Sequence, residues 1–329
     1  MSAAISQEKI AIVLATYNPN PQYLSKQLAS IRQQSWRNWL CYIVDDCSQP
    51  EHQEKIQTLV GGDPRFIYHV HEENVGSYHN FERGLRYCLE DETISAIAFA
   101  DQDDIWHPEK LKTLLQAMRS SHSRLAHSDL LVVNYQEQVI HPSCWEYEGR
   151  NPEKLTPELL LLRNTVTGCS LLFCSSLLSQ VLPFPIQRHN NAWHHDLWVA
   201  LVAAKLGTIA HLRQPLIAYR LHDNNSIGAV KNAGKISKEL TVWAGKNFRI
   251  TGHSYLIHKD LSQAFHERFA PNTKNPFDDR TLDFGLGILQ LGWHSYWTGY
   301  GSEGITLRIF LLKFVFDLRR LFKNQKLLP

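Results

Sequence analysis

The chain has 329 residues, 43% of them hydrophobic and 20% charged, with a formal net charge of +2. That length and balance describe a globular protein with a substantial core, in one large domain or two smaller ones. They exclude a nucleic-acid binder that works by bulk charge.

In chain order, Met1 to Lys9 is short and polar, with no signal-peptide hydrophobic region. Ile10 to Ala15 is a continuous apolar strand, followed by the loop Thr16-Tyr17-Asn18-Pro19-Asn20-Pro21. Leu24, Leu28 and Ile31 fall at helical spacing and predict an amphipathic helix. Leu40 to Val44 is a second strand, ending in Asp45-Asp46-Cys47-Ser48. A helix near Gln53 to Val60 closes at Gly61-Gly62, and Phe66 to Val70 is a third strand. After the turn Asn74-Val75-Gly76, a stripe of Phe81, Leu85, Cys88 and Leu89 marks another helix. Ala96 to Ala100 reads as a buried strand running into Asp101-Gln102-Asp103-Asp104-Ile105-Trp106. Pro108 sits near the first turn of a helix that buries Leu111, Leu114, Leu115 and Met118. Leu130 to Val133, Leu171 to Cys174 and Ile217 to Tyr219 predict further strands, and His141 to Pro157 reads as a long loop. His194-His195-Asp196-Leu197-Trp198 opens a helix that ends at Gly207.

Apolar strands alternating with helices imply an α/β fold, a mostly parallel sheet covered on both faces. In such sheets ligands bind outside the carboxyl ends of the strands. That rule places Thr16-Tyr17, Asp45-Asp46 and the acidic turn along one crevice. In extended backbone Asp101 and Asp103 point one way and Gln102 the other. Two such carboxylates suit a hard divalent cation that also holds phosphates, while a solvated acidic turn is the alternative. No Gly-x-Gly-x-x-Gly or Walker loop follows the first strand. The six cysteines are scattered without a Cys-x-x-Cys pair, and Cys41 and Cys88 have apolar neighbours. That is the usage of free buried thiols in a reducing cytosol.

Ala15-Thr16-Tyr17-Asn18, Val44-Asp45-Asp46-Cys47-Ser48, Asn74-Val75-Gly76 and Asp101-Gln102-Asp103-Asp104 occur in order. Together they resemble the family 2 glycosyltransferases, inverting enzymes of the GT-A fold. His-His-Asp-x-Trp at His194 and Tyr-Arg-x-His-x-Asn-Asn at Tyr219 look most like the bacterial rhamnosyltransferase branch. The resemblance covers roughly residues 8 to 228. It implies a catalytic domain over 1–230 and a helical C-terminal region over 231–329. By the resemblance, Thr16, Tyr17, Asp45, Asp46, Gly76 and Asp101 would bind the nucleotide part of the donor. Asp103, with Asp101 and His222, would hold Mg²⁺ or Mn²⁺ on the diphosphate, and Asp196 would be the catalytic base. The donor would be dTDP-rhamnose or a UDP-sugar, the acceptor a saccharide or lipid-linked saccharide. The processive members' Gln-x-x-Arg-Trp motif is absent, which favours addition of one sugar at a time.

Several positions carry a second reading. Asp196 at a helix start is also a favourable cap. Trp193, His194, His195 and Trp198 would crowd aromatic surface around it, as a sugar site does. His194 and His195 could equally be a surface pair, Asp104 a turn stabiliser, and Trp106 either core or pocket wall. A nucleotidyltransferase or sugar-nucleotide hydrolase would also use strand-end carboxylates and a metal. From 235 to about 268 the pattern is helical, for packing or partner contact. From Ile305 to Leu328, Arg308, Lys313, Arg319, Arg320, Lys323 and Lys326 alternate with large apolar residues. Such a segment can lie in a membrane interface, or dock on the catalytic domain or in a homodimer. The expected location is cytoplasmic and, on the membrane-interface reading alone, peripheral on the inner membrane's cytoplasmic face.

Overall fold

The computed structural model describes residues 8–153, 155–187, 193–222 and 248–272, together with 275, 277, 288 and 313–314. Two compact units emerge. One comprises 1–148, 166–184 and 194–231; the other comprises 149–165, 185–193 and 232–329. The second unit thus takes two segments from inside the range 1–230.

The first unit is built on one sheet. Its strands are β1 (Lys9–Thr16), β2 (Trp39–Asp45), β3 (Phe66–Val70), β4 (Ile94–Ala100), β5 (Ile105–Trp106), β6 (Leu125–Val133), β7 (Val139–His141), β8 (Leu171–Cys174) and β9 (Ile209–Arg220). They lie in the order β3-β2-β1-β4-β8-β6-β9-β5, with β7 paired to β6. From β3 to β4 every pair is parallel. β8 then runs antiparallel to both β4 and β6, β9 is parallel to β6, and β5 antiparallel to β9. The α/β sheet flanked by helices is the one the sequence implies, with antiparallel insertions in its second half.

The helices of this unit are α1 (Pro21–Arg32), α2 (Pro50–Val60), α3 (Gly76–Leu89), α4 (Lys110–Ser120), α5 (Cys144–Glu148), α7 (Leu178–Val181) and α8 (His195–Leu206); α6 (Pro157–Leu162) and α9 (Phe248–Phe269) belong to the other. Local chemistry sets their ends. The Asn20 side chain accepts from the amides of Gln22 and Tyr23, and Pro21 occupies the first turn of α1. Gly61 closes α2 in left-handed backbone, φ 61°. The stripes Leu24, Leu28, Ile31 and Leu111, Leu114, Leu115, Met118 are buried as their spacing predicts. α8 differs, being buried from His195 through Asp196 and from Trp198 to Ala203, as an interior helix is. The stretch expected to be a loop after His141 holds α5, whose Trp145 amide donates to Asp129.

In the second unit Thr156 caps α6, whose Leu159 to Leu162 are all buried. His258 on α9 lies 2.9 Å from the Leu161 carbonyl oxygen. All six cysteines are free, with Cys41 and Cys88 buried. Among the described residues no helix is long and apolar enough to cross a membrane. Of the basic segment from Ile305 to Leu328 only 313–314 are described, helical, with Lys313 buried and Phe314 exposed; the rest lies outside the described residues.

Candidate active site

The carboxyl ends of β1 and β2 are laced together. Thr16 Oγ1 donates to Asp45 Oδ2 at 2.8 Å, and Ser48 donates its amide and hydroxyl to Asp45 at 2.8 and 2.7 Å. Asp45 is fully buried. Asp46 accepts the amides of Val75 and Gly76 at 2.9 and 2.8 Å, so it holds the start of α3. Both carboxylates thus have protein partners, as buried anions require. Gly76 takes φ 79°, which opens the turn into α3. Tyr17 projects at 49% exposure beside this network.

The acidic turn follows β4 and leads into β5. Gln102 does not point away from the crevice edge, as strict alternation predicts. Its side-chain oxygen accepts the Tyr17 amide at 2.9 Å and its Nε2 donates to the Tyr17 carbonyl at 3.3 Å. The turn leaves extended backbone after Ala100, so the two-residue alternation stops there. Asp103 Oδ2 lies 2.7 Å from His222 Nε2. Arg220, fully buried at the end of β9, donates Nε to the Asp103 carbonyl at 2.9 Å and its amide to Asp104 at 3.3 Å. The same guanidinium reaches Glu137 at 3.2 Å and lies 4.4 Å from the Tyr23 ring centroid. Asp104 is fully buried, and its Oδ2 has no hydrogen-bond partner among the described residues.

β8 brings the third component. It pairs antiparallel with β4, so the one-turn 3-10 helix Gly168–Ser170 before it lies toward the acidic turn. There the Gly168 amide donates to Asp196 Oδ2 at 3.0 Å. Asp196 is 7% exposed in the first turn of α8. Burial, with Asp103 and Asp196 close by, pushes the Asp101 carboxyl up to about 7. Asp196 therefore stands within electrostatic reach of the acidic turn. Burial with Asp103 and Asp101 likewise raises Asp104, and burial with Asp104 and Asp101 raises the Cys169 thiol. One oxygen from each of Asp101 and Asp104 and the Cys169 sulfur all lie within 4.8 Å of one another.

Several expectations change. His195 is 7% exposed and stacks on Phe81 at 3.6 Å between ring centroids, with Phe99 edge-on at 4.8 Å. It is neither a surface residue nor an acceptor contact. Trp193 and Trp198 are buried too, and Trp198 donates its ring N–H to the Val181 carbonyl. Of the aromatic residues near Asp196 in sequence, Trp193, His195 and Trp198 are core and not sugar-facing surface, while His194 is half-buried. Trp106 is core as well, at 2% exposure. Asp104, expected as a turn stabiliser, accepts the Arg220 amide and braces the turn against β9.

Sequence reasoning missed Gln102, Lys110, Gly168, Cys169 and Arg220 as parts of this region. Lys110 was detectable, because it shares the helical face of Leu114 and Met118 at spacings of four and eight. The others depend on pairings between distant strands and leave no local signal.

Polar residues at three strand ends of the mixed sheet, an acidic turn and a further buried carboxylate make up the candidate site of an α/β fold of the GT-A type. The sequence model described as Glycosyl transferase family 2 matches residues 11–179, and the chain belongs to that family. An uncharacterized glycosyltransferase, alr2836 of Nostoc, is 24% identical over 88% of this chain and 90% of its own length. The putative teichuronic acid biosynthesis glycosyltransferase TuaG of Bacillus subtilis is 27% identical over 68% of this chain and 82% of its own. The dTDP-rhamnosyl transferase RfbG of Shigella flexneri is 24% identical over 66% and 74%. Among solved structures, S. aureus TarS 1–349 in complex with UDP-GlcNAc is similar in fold. Its TM-score is 0.56 at 16% identity, over 92% of this chain and 90% of TarS 1–349.

Proposed function

We propose that this glycosyltransferase is a metal-dependent, inverting enzyme that adds one sugar to a saccharide or lipid-linked saccharide in bacterial surface polysaccharide synthesis. Asp196 carries the reading. Among the described residues it is a buried carboxylate held by a backbone N–H within electrostatic reach of Asp101, and by the resemblance it falls at the family's base position.

In this reading Thr16, Tyr17, Asp45, Asp46, Gly76 and Asp101 bind the nucleotide. Tyr17 offers an exposed aromatic face, and Asp45 and Asp46 fix the loops that shape the pocket. Relatives named for dTDP-rhamnose and UDP-glucose transfer, and TarS bound to UDP-GlcNAc or UDP, support a nucleoside-diphosphate donor. L-rhamnose is the sugar favoured by the motifs around Asp196 and His222. Asp196 accepts the proton of the acceptor hydroxyl as that oxygen attacks the anomeric carbon, a role worth ~10²–10⁴-fold in rate. One displacement from the opposite face inverts the centre, so no enzyme nucleophile is needed.

The acidic turn fits a hard divalent cation. Asp103 Oδ2 lies 2.7 Å from His222 Nε2 and Asp103 stands close enough to Asp101 to raise its carboxyl, while the group gathered within 4.8 Å is Asp101, Asp104 and the Cys169 sulfur. Asp101, Asp103 and His222 would hold Mg²⁺ or Mn²⁺, with Asp104 kept to bracing. The soft sulfur of Cys169 makes it a poor ligand for such a hard ion. When bound, the metal supplies Lewis-acid charge to the departing diphosphate. A catalytic domain over 1–230, cytoplasmic location and contact of the Ile305–Leu328 segment with membrane or a second copy complete the proposal.

The test is transfer from dTDP-rhamnose, UDP-glucose and UDP-GlcNAc to saccharide acceptors, with EDTA and Mn²⁺ add-back. Transfer from one donor, lost in EDTA and restored by Mn²⁺, is expected. Full activity in EDTA would contradict the metal role.

A further inference from the structure

Lys110 opens α4 with a side chain that is fully buried, although most lysines in the described structure keep their amine in water. Its Nζ donates to the Cys169 carbonyl at 2.7 Å and lies 3.1 Å from the centroid of the Trp106 ring. Burial pulls its amine down to about 7, against the opposing pull of Cys169, Asp104 and Asp101. An amine taken from water is costly unless strong partners replace the lost solvation. Here the partners are a ring face and a single carbonyl.

That carbonyl belongs to the 3-10 turn whose first amide holds Asp196. Ser170 closes the turn by donating its amide and hydroxyl to the Thr167 carbonyl at 2.9 and 2.7 Å. On the far side the turn is pressed against α8. A Cβ at Gly168 would come within 2.7 Å of His195 Nε2 and 3.4 Å of Asp196 Cβ. The turn is therefore fixed from two directions. Lys110 anchors it from the side of the acidic turn, and the glycine lets it reach Asp196.

We infer that Lys110 is a positioning residue for glycosyl transfer: by holding the Cys169 carbonyl it sets the Gly168 amide that orients Asp196, and so locks the base to the acidic turn. The inference rests on Asp196 as the base. Lys110 meets no substrate in it. Trp106 gives the amine its second contact and ties it to the strand that leaves the acidic turn.

The experiment combines hydrogen exchange by mass spectrometry with transfer kinetics on wild type, Lys110→Met, Lys110→Gln and Asp196→Asn, using whichever donor of the panel is transferred. In Lys110→Met the peptide spanning Gly168 should exchange faster, with other peptides of the sheet unchanged. Its kcat should fall at least about 10-fold while donor KM stays within about 3-fold, as for a group acting only in the transition state. Lys110→Gln, which keeps a donor, should recover part of both losses, and it carries the test if Lys110→Met does not fold. Unchanged exchange at Gly168, or unchanged kcat with faster exchange, would overturn the inference. If Asp196→Asn transfers at the wild-type rate the base assignment fails, and the exchange data still decide whether Lys110 holds the turn.

Discussion

At the scale of single residues, the interior holds a histidine where hydrocarbon would serve. His195 stacks on Phe81 with Phe99 edge-on, and neither ring nitrogen has a hydrogen-bond partner among the described residues. Burial, and then His194, hold its pKa well below the ordinary 6.5. Below pH 6.5 the unfolded chain therefore takes up a proton that the folded chain refuses, and stability is lost as pH falls. Replacing it by phenylalanine removes that liability. His195→Phe should lose stability more slowly than wild type below pH 6.5, by up to about 1.4 kcal/mol per pH unit, read from urea midpoints at two pH values. Equal pH dependence in both proteins would refute this. The neighbouring Asp196 was legible in the sequence because a carboxylate two residues from a tryptophan in a recognisable motif stands out. His195 was misplaced because a polar residue type says nothing of which helix face is inside when the whole helix is interior.

At the scale of elements, close contact between α3 and the sheet sets the geometry of the nucleotide side. A Cβ at Gly84 would come within 2.3 Å of Val13 Cγ1 and 3.4 Å of Val44 Cγ2. Gly84→Ala should therefore cost about 1–3 kcal/mol by overpacking, more than the alanine's gain in helix propensity of ~1 kcal/mol returns. Chemical denaturation would show it, and a variant as stable as wild type would contradict the close packing. The strands and helices through α4, apart from β5, were readable because each has its own period and its own boundary residues, such as Asn20, Gly61 and Pro108. β5, β7 and α5 were not, being two, three and five residues long, too short to show a period. The antiparallel insertion of β8 between β4 and β6 was also hidden, since pairing between distant strands is not written in either strand alone. That insertion is what delivers Gly168 and Asp196 to the acidic turn, so half of the candidate site depended on topology that sequence did not show.

At the scale of the whole molecule, family membership fixes the reaction class, while donor, acceptor and surroundings are open to test. The basic, apolar segment from Ile305 to Leu328 suits an anionic interface, whereas Lys313 is buried, as in a protein contact. If the segment binds membrane, the chain should cosediment with phosphatidylglycerol vesicles at low salt, and lose binding when residues 305–329 are removed. Equal sedimentation with and without the segment would leave membrane attachment without support. The central claim, a base at Asp196 acting beside an acidic diphosphate clamp, is tested most directly by one rate. Asp196→Asn should fold as wild type and transfer sugar ~10²–10⁴-fold more slowly with donor KM little changed. Transfer by Asp196→Asn at the wild-type rate would contradict it.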